Sequence, residues 1–282
     1  MSAAAPTSGA GALPVYDSAR SGPAALEEAR ALWNYRGLVH ELVVRDIKVR
    51  YKRSILGLTW TMLGPLLNMA TLTLVFSALL KTSIANYPVY FMTGFLFWNF
   101  FSQSTSAAAF QTQDANATAK RTYVPRSVFV AAAIGGALVN LVLSLVPLLG
   151  ILAVTRFPFH ATWAFLPVSI LMGALFASGI GFFLFTLASR FTDVREMYTV
   201  FVQVWFYLTP VVYHISIVPV RYRVPIWLNP MYYLVQTFRK PIYDGELPPL
   251  DVFLPSLAVA VACFLAGWLY FCRRRDAFAL MG

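Results

Sequence analysis

The chain carries little charge. Asp, Glu, Lys and Arg make up only 12% of its 282 residues, against roughly 25% in soluble domains. Hydrophobic residues account for 59%, aromatic residues for 16%, and the mean hydropathy is +0.64. The few charges are gathered between long apolar runs. Such a sequence excludes an ordinary soluble domain and predicts an all-α protein that crosses a membrane several times.

Cysteine and histidine are also scarce. The two cysteines, Cys263 and Cys272, lie nine positions apart in one apolar run, about 13 Å along a helix axis, which is too far for a disulfide. The three histidines, His40, His160 and His214, have no metal-ligand neighbour at helical spacing. Neither a redox function nor a metal site follows from these residues.

Motifs for nucleotide binding and for ion coupling are missing. No G-x-x-x-x-G-K-[ST] segment occurs, so the chain has no P-loop of its own. Its twelve carboxylates lie in the N-terminal tail, at span ends or in loops, whereas ion-driven transporters usually place ionisable groups inside the membrane. We therefore expect a subunit without enzymatic activity or cofactor, powered by another polypeptide if it moves a substrate uphill.

The net charge of +10 does not indicate nucleic-acid binding. The basic residues lie between apolar runs, where they control topology and contact anionic lipid headgroups. With the N-terminus inside, 16 of the 22 Lys and Arg residues lie in cytoplasmic segments and 6 in outer ones. The positive-inside rule therefore predicts that both termini are cytoplasmic.

Six charge-free runs exceed the roughly 20 residues that cross the hydrocarbon core. They predict six spans within a membrane domain of residues 55–275, namely 55–80, 88–113, 127–155, 161–189, 197–220 and 252–272. Residues 276–282 form a short cytoplasmic tail. Between the last two spans, residues 226–235 are apolar but too short to cross. This interval predicts a re-entrant outer helical hairpin before the last span.

The N-terminal region divides into two parts. Residues 1–25 are rich in Ala, Ser, Gly and Pro, which predicts a disordered tail without a signal peptide. Residues 26–54 predict an amphipathic helix at the membrane interface, with a solvated helix as the alternative. Its apolar stripe comprises Val39, Val43, Ile47 and Tyr51, and its charged stripe comprises Glu41, Arg45, Lys48 and Lys52.

The segment WFYLTPVVY, residues 205–213, combines an aromatic cluster with a helix-breaking proline. Proline removes a backbone donor, and within lipid the freed carbonyl must meet protein or water. A helix bend lined by aromatic rings is therefore expected here, and it suggests a passage.

Five segments resemble, in the same order, those of permease subunits of ABC transporters that export polysaccharides. They are VRYKRSILGLTWTMLGPL (49–66), YVPR (123–126), FTDV (191–194), TPVVY (209–213) and NPMYYLVQTFRKPIYDG (229–245). The resemblance extends over about residues 32–275. One departure is Thr192, where members of this family often carry Arg.

The resemblance implies a type-2 ABC exporter permease in the bacterial cytoplasmic membrane. Such permeases are homodimers of six-span subunits that work with two copies of a cytoplasmic ATPase, which binds ATP and Mg²⁺. Their substrates are lipid-linked glycans such as O-antigen, teichoic acid, capsule or galactan. The missing P-loop agrees with a separate motor.

Three sets of residues are candidates for this function. Aromatic and neutral polar groups suit a sugar chain, although lipid contact is the alternative for any single ring; this passage set is Trp60, Asn68, Phe95, Phe97, Trp98, Asn99, Phe101, Gln103, Gln203, Trp205, Tyr207 and Thr209. The ATPase-coupling set, for which simple topology control is the alternative, is Lys120, Arg121, Arg126, Arg190, Asp193 and Arg195. The carrier-phosphate set, for which ordinary anionic lipid is the alternative, is Arg50, Lys52 and Arg53.

Two other functions stay open at this stage. A drug or haem exporter permease would need a smaller and more lipophilic cavity. A membrane-embedded glycan-modifying enzyme would need an acid–base pair, and only Asp193 with Glu196 and Asp244 with Glu246 lie close in sequence. Helix capping or solvation in a loop also accounts for both pairs.

Overall fold

The computed structural model describes residues 24–52, 57, 59–75, 84–119 and 124–274. Within these ranges the chain is helical and contains no β-strand, which confirms the predicted all-α class. The α-helices are α1 (Ala24–Asn34), α2 (Arg36–Tyr51), α3 (Thr59–Thr73), α4 (Tyr87–Phe110), α5 (Thr112–Ala119), α6 (Ser127–Val154), α7 (Leu166–Arg190), α8 (Asp193–Leu208), α9 (Val224–Trp227), α10 (Pro230–Tyr243) and α11 (Leu250–Arg274).

Three helical segments are long and apolar enough to cross a membrane. They are Ser127–Val154, Ala161–Arg190, in which a 3₁₀ turn leads into α7, and Leu250–Arg274. They coincide with three of the predicted spans. Helix α4 has 24 residues and covers most of a fourth, and α3 covers the described part of the first. The total of six spans stays a prediction.

The predicted span 197–220 is not one helix. Helix α8 ends at Leu208, and the backbone of Thr209 is extended, with φ −97° and ψ 131°. The reason is Pro210, which offers no amide hydrogen and whose ring prevents the preceding residue from continuing a helix. Short 3₁₀ turns follow, and then α9 and α10 occupy the predicted hairpin interval.

Helix α4 lies at the centre of the fold. It packs against α3, α6, α7, α8 and α10, so residues on all its sides are buried. Helices α7 and α11 cross so closely that a Cβ added to Gly267 would lie 1.9 Å from the Gly179 carbonyl oxygen. Small residues at a crossing let membrane helices approach to backbone contact. These helices form the core against which the other elements pack.

The predicted interface helix 26–54 is divided into α1 and α2, which meet at Tyr35. Its apolar residues Val39 and Val43 pack against the cluster around α6 and α11. Ser127 at the start of α6 donates a 2.6 Å hydrogen bond to Glu28 of α1. This region is therefore attached to the helical body. Residues 1–23 and 275–282, which include most of the predicted tails, lie outside the described ranges.

Candidate functional site

The end of α8 leaves a row of backbone carbonyls that side chains from other helices satisfy. We call residues 208–213 the helix break. The Pro210 and Val211 carbonyls accept hydrogen bonds from Arg239 at 3.0 and 2.8 Å. The Val212 carbonyl accepts from Tyr87, and that of Tyr213 from Tyr90, each at 2.9 Å. Buried polar groups of the backbone are thus paired although the helix has ended.

Arg239 is buried to 1% exposure, although it lies in a segment that hydropathy assigns to the outer hairpin. Its guanidinium carbon lies 3.9 Å from the centre of the Tyr90 ring, a cation–π contact. Gly94 leaves room for it, since a Cβ there would lie 2.0 Å from Arg239 Nη2. Sequence reasoning counted Arg239 among the outer topology charges. In the structure it is instead the main donor to the helix break.

Asn229 connects the same break to the start of α10. Its side-chain oxygen accepts from Trp205 Nε1 at 2.9 Å and from the Met231 amide at 3.0 Å, so it caps α10. Its side-chain nitrogen donates to Thr209 Oγ1 at 2.9 Å. One asparagine therefore fixes the end of α8 and the start of α10 together.

Three neighbouring cavities form a groove along one side of the helical body. The first, the α5 cavity, has a volume of about 610 Å³ and lies among α2, α4, α5 and α6. The second, the amide cavity, measures about 250 Å³ and is lined by residues of α3, α4 and α6. The third, the break cavity, measures about 440 Å³ and reaches the helix break. Consecutive cavities share residues: Gln103 and Asn140 line the first two, and Asn68 and Phe95 the last two.

A stripe of residues along α4 lines this groove. It includes Phe95, Asn99, Gln103 and Ala107 at four-residue steps, with Gln111 directly after the helix, and it winds around α4 because four residues slightly exceed one helical turn. All three cavities contain amide side chains, and among the described residues the charged ones that line the groove, Arg45, Asp46 and Asp114, lie at the α5 end. The groove offers neutral hydrogen-bonding groups beside aromatic rings.

The structure brings together some of the predicted passage residues and separates others. Trp60, Asn68, Phe95, Asn99, Gln103 and Tyr207 line the groove. By contrast, Phe97, Trp98 and Phe101 are buried in the core among α4, α7, α8 and α10. Trp205 lies edge-on to Phe101 at 5.3 Å, and Thr209 is buried in the helix break. Gln203 is exposed on α8, away from the groove.

Asn140 is a groove residue that sequence reasoning missed. It lies on α6 at 6% exposure, and its Nδ2 donates a 3.0 Å hydrogen bond to Gln103 Oε1. Its Oδ1 is buried and accepts no hydrogen bond. The available signal was an asparagine within the charge-free run 127–155, where an amide is costly unless it has a partner.

Charged groups meet at the α5 end of the groove. Arg45 Nη2 lies 2.8 Å from Asp46 and 2.9 Å from Asp114, and Gln111 donates to Asp46 at 3.0 Å. We call these four residues the α5 cluster. Burial alone would lower the pKa of Arg45, but the hydrogen bond to Asp46 and the charges of both carboxylates outweigh it, so the pKa is raised. The cluster links α2 to α5.

The predicted coupling residues differ in their surroundings. Arg195 on α8 donates a 2.6 Å hydrogen bond to Thr112 of α5, which joins the start of α8 to α5. Arg190 lies over the Phe191 ring. Asp193 is the first residue of α8, where the positive end of the helix dipole stabilises its carboxylate. Burial lowers the pKa of Arg126, which precedes α6. Lys120 and Arg121 lie outside the described residues.

The predicted phosphate-binding residues lie at the end of α2. Lys52 is exposed directly after this helix, while Arg53 and the side chain of Arg50 fall outside the described part of the structure. The acidic pairs considered for catalysis lie at helix ends: Asp193 and Glu196 in the first turn of α8, and Asp244 beside Lys240 at 3.6 Å.

A helical membrane protein with an uncharged groove between charged and aromatic ends has the features of a transport subunit. Residues 38–243 match the model of the ABC-2 type transporter family, and the chain belongs to this family. It is 31% identical over 256 residues to the O-antigen export system permease protein RfbA of Myxococcus xanthus, covering 89% of this chain and 97% of that protein. It is 25% identical over 216 residues to RfbA of Klebsiella pneumoniae, covering 75% and 83%. The resemblance seen in the sequence is confirmed.

Proposed function

We propose that this chain is the permease subunit of an ABC exporter that moves a lipid-linked polysaccharide of the O-antigen type across the bacterial cytoplasmic membrane. The observation that carries the proposal is the groove, in which amides and aromatic rings line the cavities and charges lie at one end only. Sugars present hydroxyl groups and apolar ring faces, so such a lining binds them weakly at many points without trapping them.

A separate ATPase supplies the energy in this proposal. The chain has no P-loop, and the two curated relatives carry permease in their names. Two copies of the ATPase bind ATP and Mg²⁺ beneath a homodimer of this chain. The apolar residues of α8 that the single chain leaves more than half exposed support the dimer, because a second copy would cover them; they include Val200, Phe201, Val204 and Leu208.

In this proposal, the conformational change of the ATPase is transmitted to the groove through α5 and α8. Arg195 ties α8 to Thr112 of α5, and the α5 cluster ties α5 to α2. In the proposed orientation this end of the groove is cytoplasmic, as are both termini, and the helix break lies toward the outer surface. Opening and closing the α5 cluster then admits the substrate to the groove.

Val49, near the end of α2, lines the α5 cavity, and three basic residues follow it in the sequence. Arg50, Lys52 and Arg53 attract the pyrophosphate of the carrier lipid, since guanidinium and ammonium groups satisfy phosphate oxygens. The test replaces all three by Gln in the assembled exporter. Glycan export falls while insertion in the membrane is retained; unchanged export removes this role, and ordinary anionic lipids then account for the charges.

Reconstitution tests the proposal as a whole. The chain is placed in phosphatidylethanolamine–phosphatidylglycerol vesicles with and without its partner ABC ATPase, and movement of lipid-linked polysaccharide from the source organism is followed. We expect ATP-dependent movement only with both proteins present. Movement of a lipophilic drug or haem instead of glycan would favour the other exporter class. Chemical modification of the glycan by the isolated chain, abolished in Asp193→Asn or Asp244→Asn, would favour an enzyme.

A further inference from the structure

The amide pair that Asn140 of α6 forms with Gln103 of α4 contains one acceptor that has no donor. Asn140 Nδ2 donates to Gln103 Oε1 at 3.0 Å, but Asn140 Oδ1 is buried and accepts nothing. Gln111 shows the same imbalance, because its nitrogen donates to Asp46 while its buried Oε1 has no donor. Both oxygens belong to residues that line the α5 cavity. A buried acceptor without a donor is costly, so this cavity suits a ligand that donates hydrogen bonds.

The spacing of the amides matches a repeating ligand. Asn99, Gln103 and Gln111 follow one another along α4 and its C-terminal end at steps of four and eight residues and all line the groove, and four residues rise about 6 Å along a helix. This step is comparable to the length of one sugar ring. Asn140 faces the middle of the series, since it lines both the α5 cavity and the amide cavity.

The α6 side of the α5 cavity fits the apolar face of a sugar. It contains the small residues Ala132, Ala133, Gly136 and Ala137. Among the described residues, nothing lies within 4 Å of the position that a Cβ on Gly136 would occupy. This open apolar surface lies one helical turn from Asn140 on the same helix and shares the cavity with Gln111, so a pyranose ring finds both kinds of contact there.

We infer that Asn140 and Gln103 form a saccharide subsite, in which the Asn140 oxygen accepts a hydrogen bond from a hydroxyl group of the glycan in transit. The inference rests on the proposed function and assigns to it a pair of residues that bind the substrate. The competing explanation is that the amide pair only holds α4 and α6 together, as polar residues do between membrane helices.

The test measures the glycan dependence of transport by the complete exporter in the vesicles described above. In Asn140→Leu the apparent KM for lipid-linked polysaccharide rises by about fivefold or more, as expected when a buried hydrogen bond to the substrate is lost. The kcat at saturating glycan and the thermal stability of each variant are measured alongside, to separate a change in glycan binding from a change in folding. Gln103→Leu raises KM in the same way and decides the question if Asn140→Leu does not fold.

Thr186→Val is the matched control. Thr186 is equally buried in a membrane helix, but its hydroxyl donates to the Phe182 carbonyl of its own helix and it lines none of the three cavities. Its KM stays unchanged. An unchanged KM in both amide variants, or a loss of thermal stability in them without a change in KM, overturns the subsite while glycan export by the wild type leaves the proposed function standing. Absence of glycan movement by the wild type refutes the proposed function itself.

Discussion

The helix break and the α5 cluster both use an arginine to connect elements distant in sequence, but they do so under different conditions. Arg239 is fully buried and donates to two carbonyls. Arg45 is 47% exposed at its side chain and pairs with two carboxylates, of which Asp114 is 54% exposed. Water competes for the second arginine and not for the first. We therefore call the helix break a fixed joint, whose contacts we expect to stay intact during transport, and the α5 cluster a movable joint, whose contacts we expect to open and close.

The magnitudes agree with this distinction. A buried acceptor that loses its donor costs about 1–3 kcal/mol, and Arg239 serves two of them. An exposed ion pair contributes only about 0.2–1 kcal/mol and is screened by salt. A moving transporter can break the second kind of contact in each cycle at little cost, whereas breaking the first would cost a large part of its stability.

The largest expected effect is that of Arg239→Leu. This change leaves the Pro210 and Val211 carbonyls without donors, and we expect a loss of about 1–3 kcal/mol for each carbonyl. The measurement is thermal unfolding of the purified permease together with the amount of folded protein in the membrane.

Arg223 provides the control for that prediction. It also donates to two carbonyls, those of Val218 and Ser216, at 2.8 and 3.2 Å, but it is only half-buried. Arg223→Leu should cost clearly less than Arg239→Leu. Equal losses would show that burial does not distinguish the two arginines.

A smaller loss is expected for Gly94→Ala. The added Cβ would lie 2.0 Å from Arg239 Nη2 and must displace the guanidinium, at a cost typical of overpacking, about 1–3 kcal/mol. Gly150→Ala has open space around it and should be nearly neutral. In the Arg239→Leu background the Gly94→Ala penalty should shrink, because the clashing group is gone. An additive penalty, measured by thermal unfolding, would contradict this clash.

The smallest effect on stability is expected at the α5 cluster. Arg45→Gln should lower the free energy of unfolding by less than about 1 kcal/mol, yet reduce the amount of glycan moved per ATP hydrolysed. Raising the salt concentration should reproduce part of this effect in the wild type. Glu41→Gln, on the exposed face of α2, is the control and should change neither quantity. A large loss of stability in Arg45→Gln would mean that the cluster is a fixed joint as well.

Much of the fold could be predicted from the sequence, because lipid imposes strong constraints. Charge-free runs predicted the helices α6, α7 and α11, and Pro210 predicted that α8 would bend or end. Cys263 and Cys272 were predicted to be unbridged and are free. These predictions depend on hydropathy and on local backbone chemistry, which a single sequence displays.

The functional residues were harder to predict, because their roles depend on contacts across the chain. Arg239 lies in a polar stretch that hydropathy assigns to the outer surface. The carbonyls to which it donates, those of Pro210 and Val211, lie 29 and 28 residues earlier in the chain, so the neighbouring sequence does not predict these contacts. Phe97 and Phe101 read as passage aromatics, although α4 is surrounded by other helices and their rings lie in the core.

The groove face itself was present in the sequence as a four-residue periodicity. Residues 95, 99, 103, 107 and 111 line the groove along α4, but an apolar run longer than 20 residues hides a polar stripe that contains only three amides. Its partner Asn140 comes from another helix. The face of α4 that meets α6 depends on how the helices pack, and a single sequence does not show this packing.

The most direct test of the difference between the two joints locks the α5 cluster in one protein and, in another, α10, the helix that carries Arg239. In a Cys263→Ala/Cys272→Ala background, Asp46→Cys and Gln111→Cys are joined by a short bifunctional thiol reagent across the α5 cluster. In a second protein, Thr237→Cys and Ser256→Cys form a disulfide that fixes α10 to α11, where the native hydroxyl oxygens lie 3.1 Å apart. ATP-driven glycan transport in vesicles should stop with the first link and continue with the second. Transport that survives the α5 link would contradict the assignment of a movable joint at the α5 cluster, and transport abolished by the α10–α11 link would contradict a fixed position of the helix that holds the break.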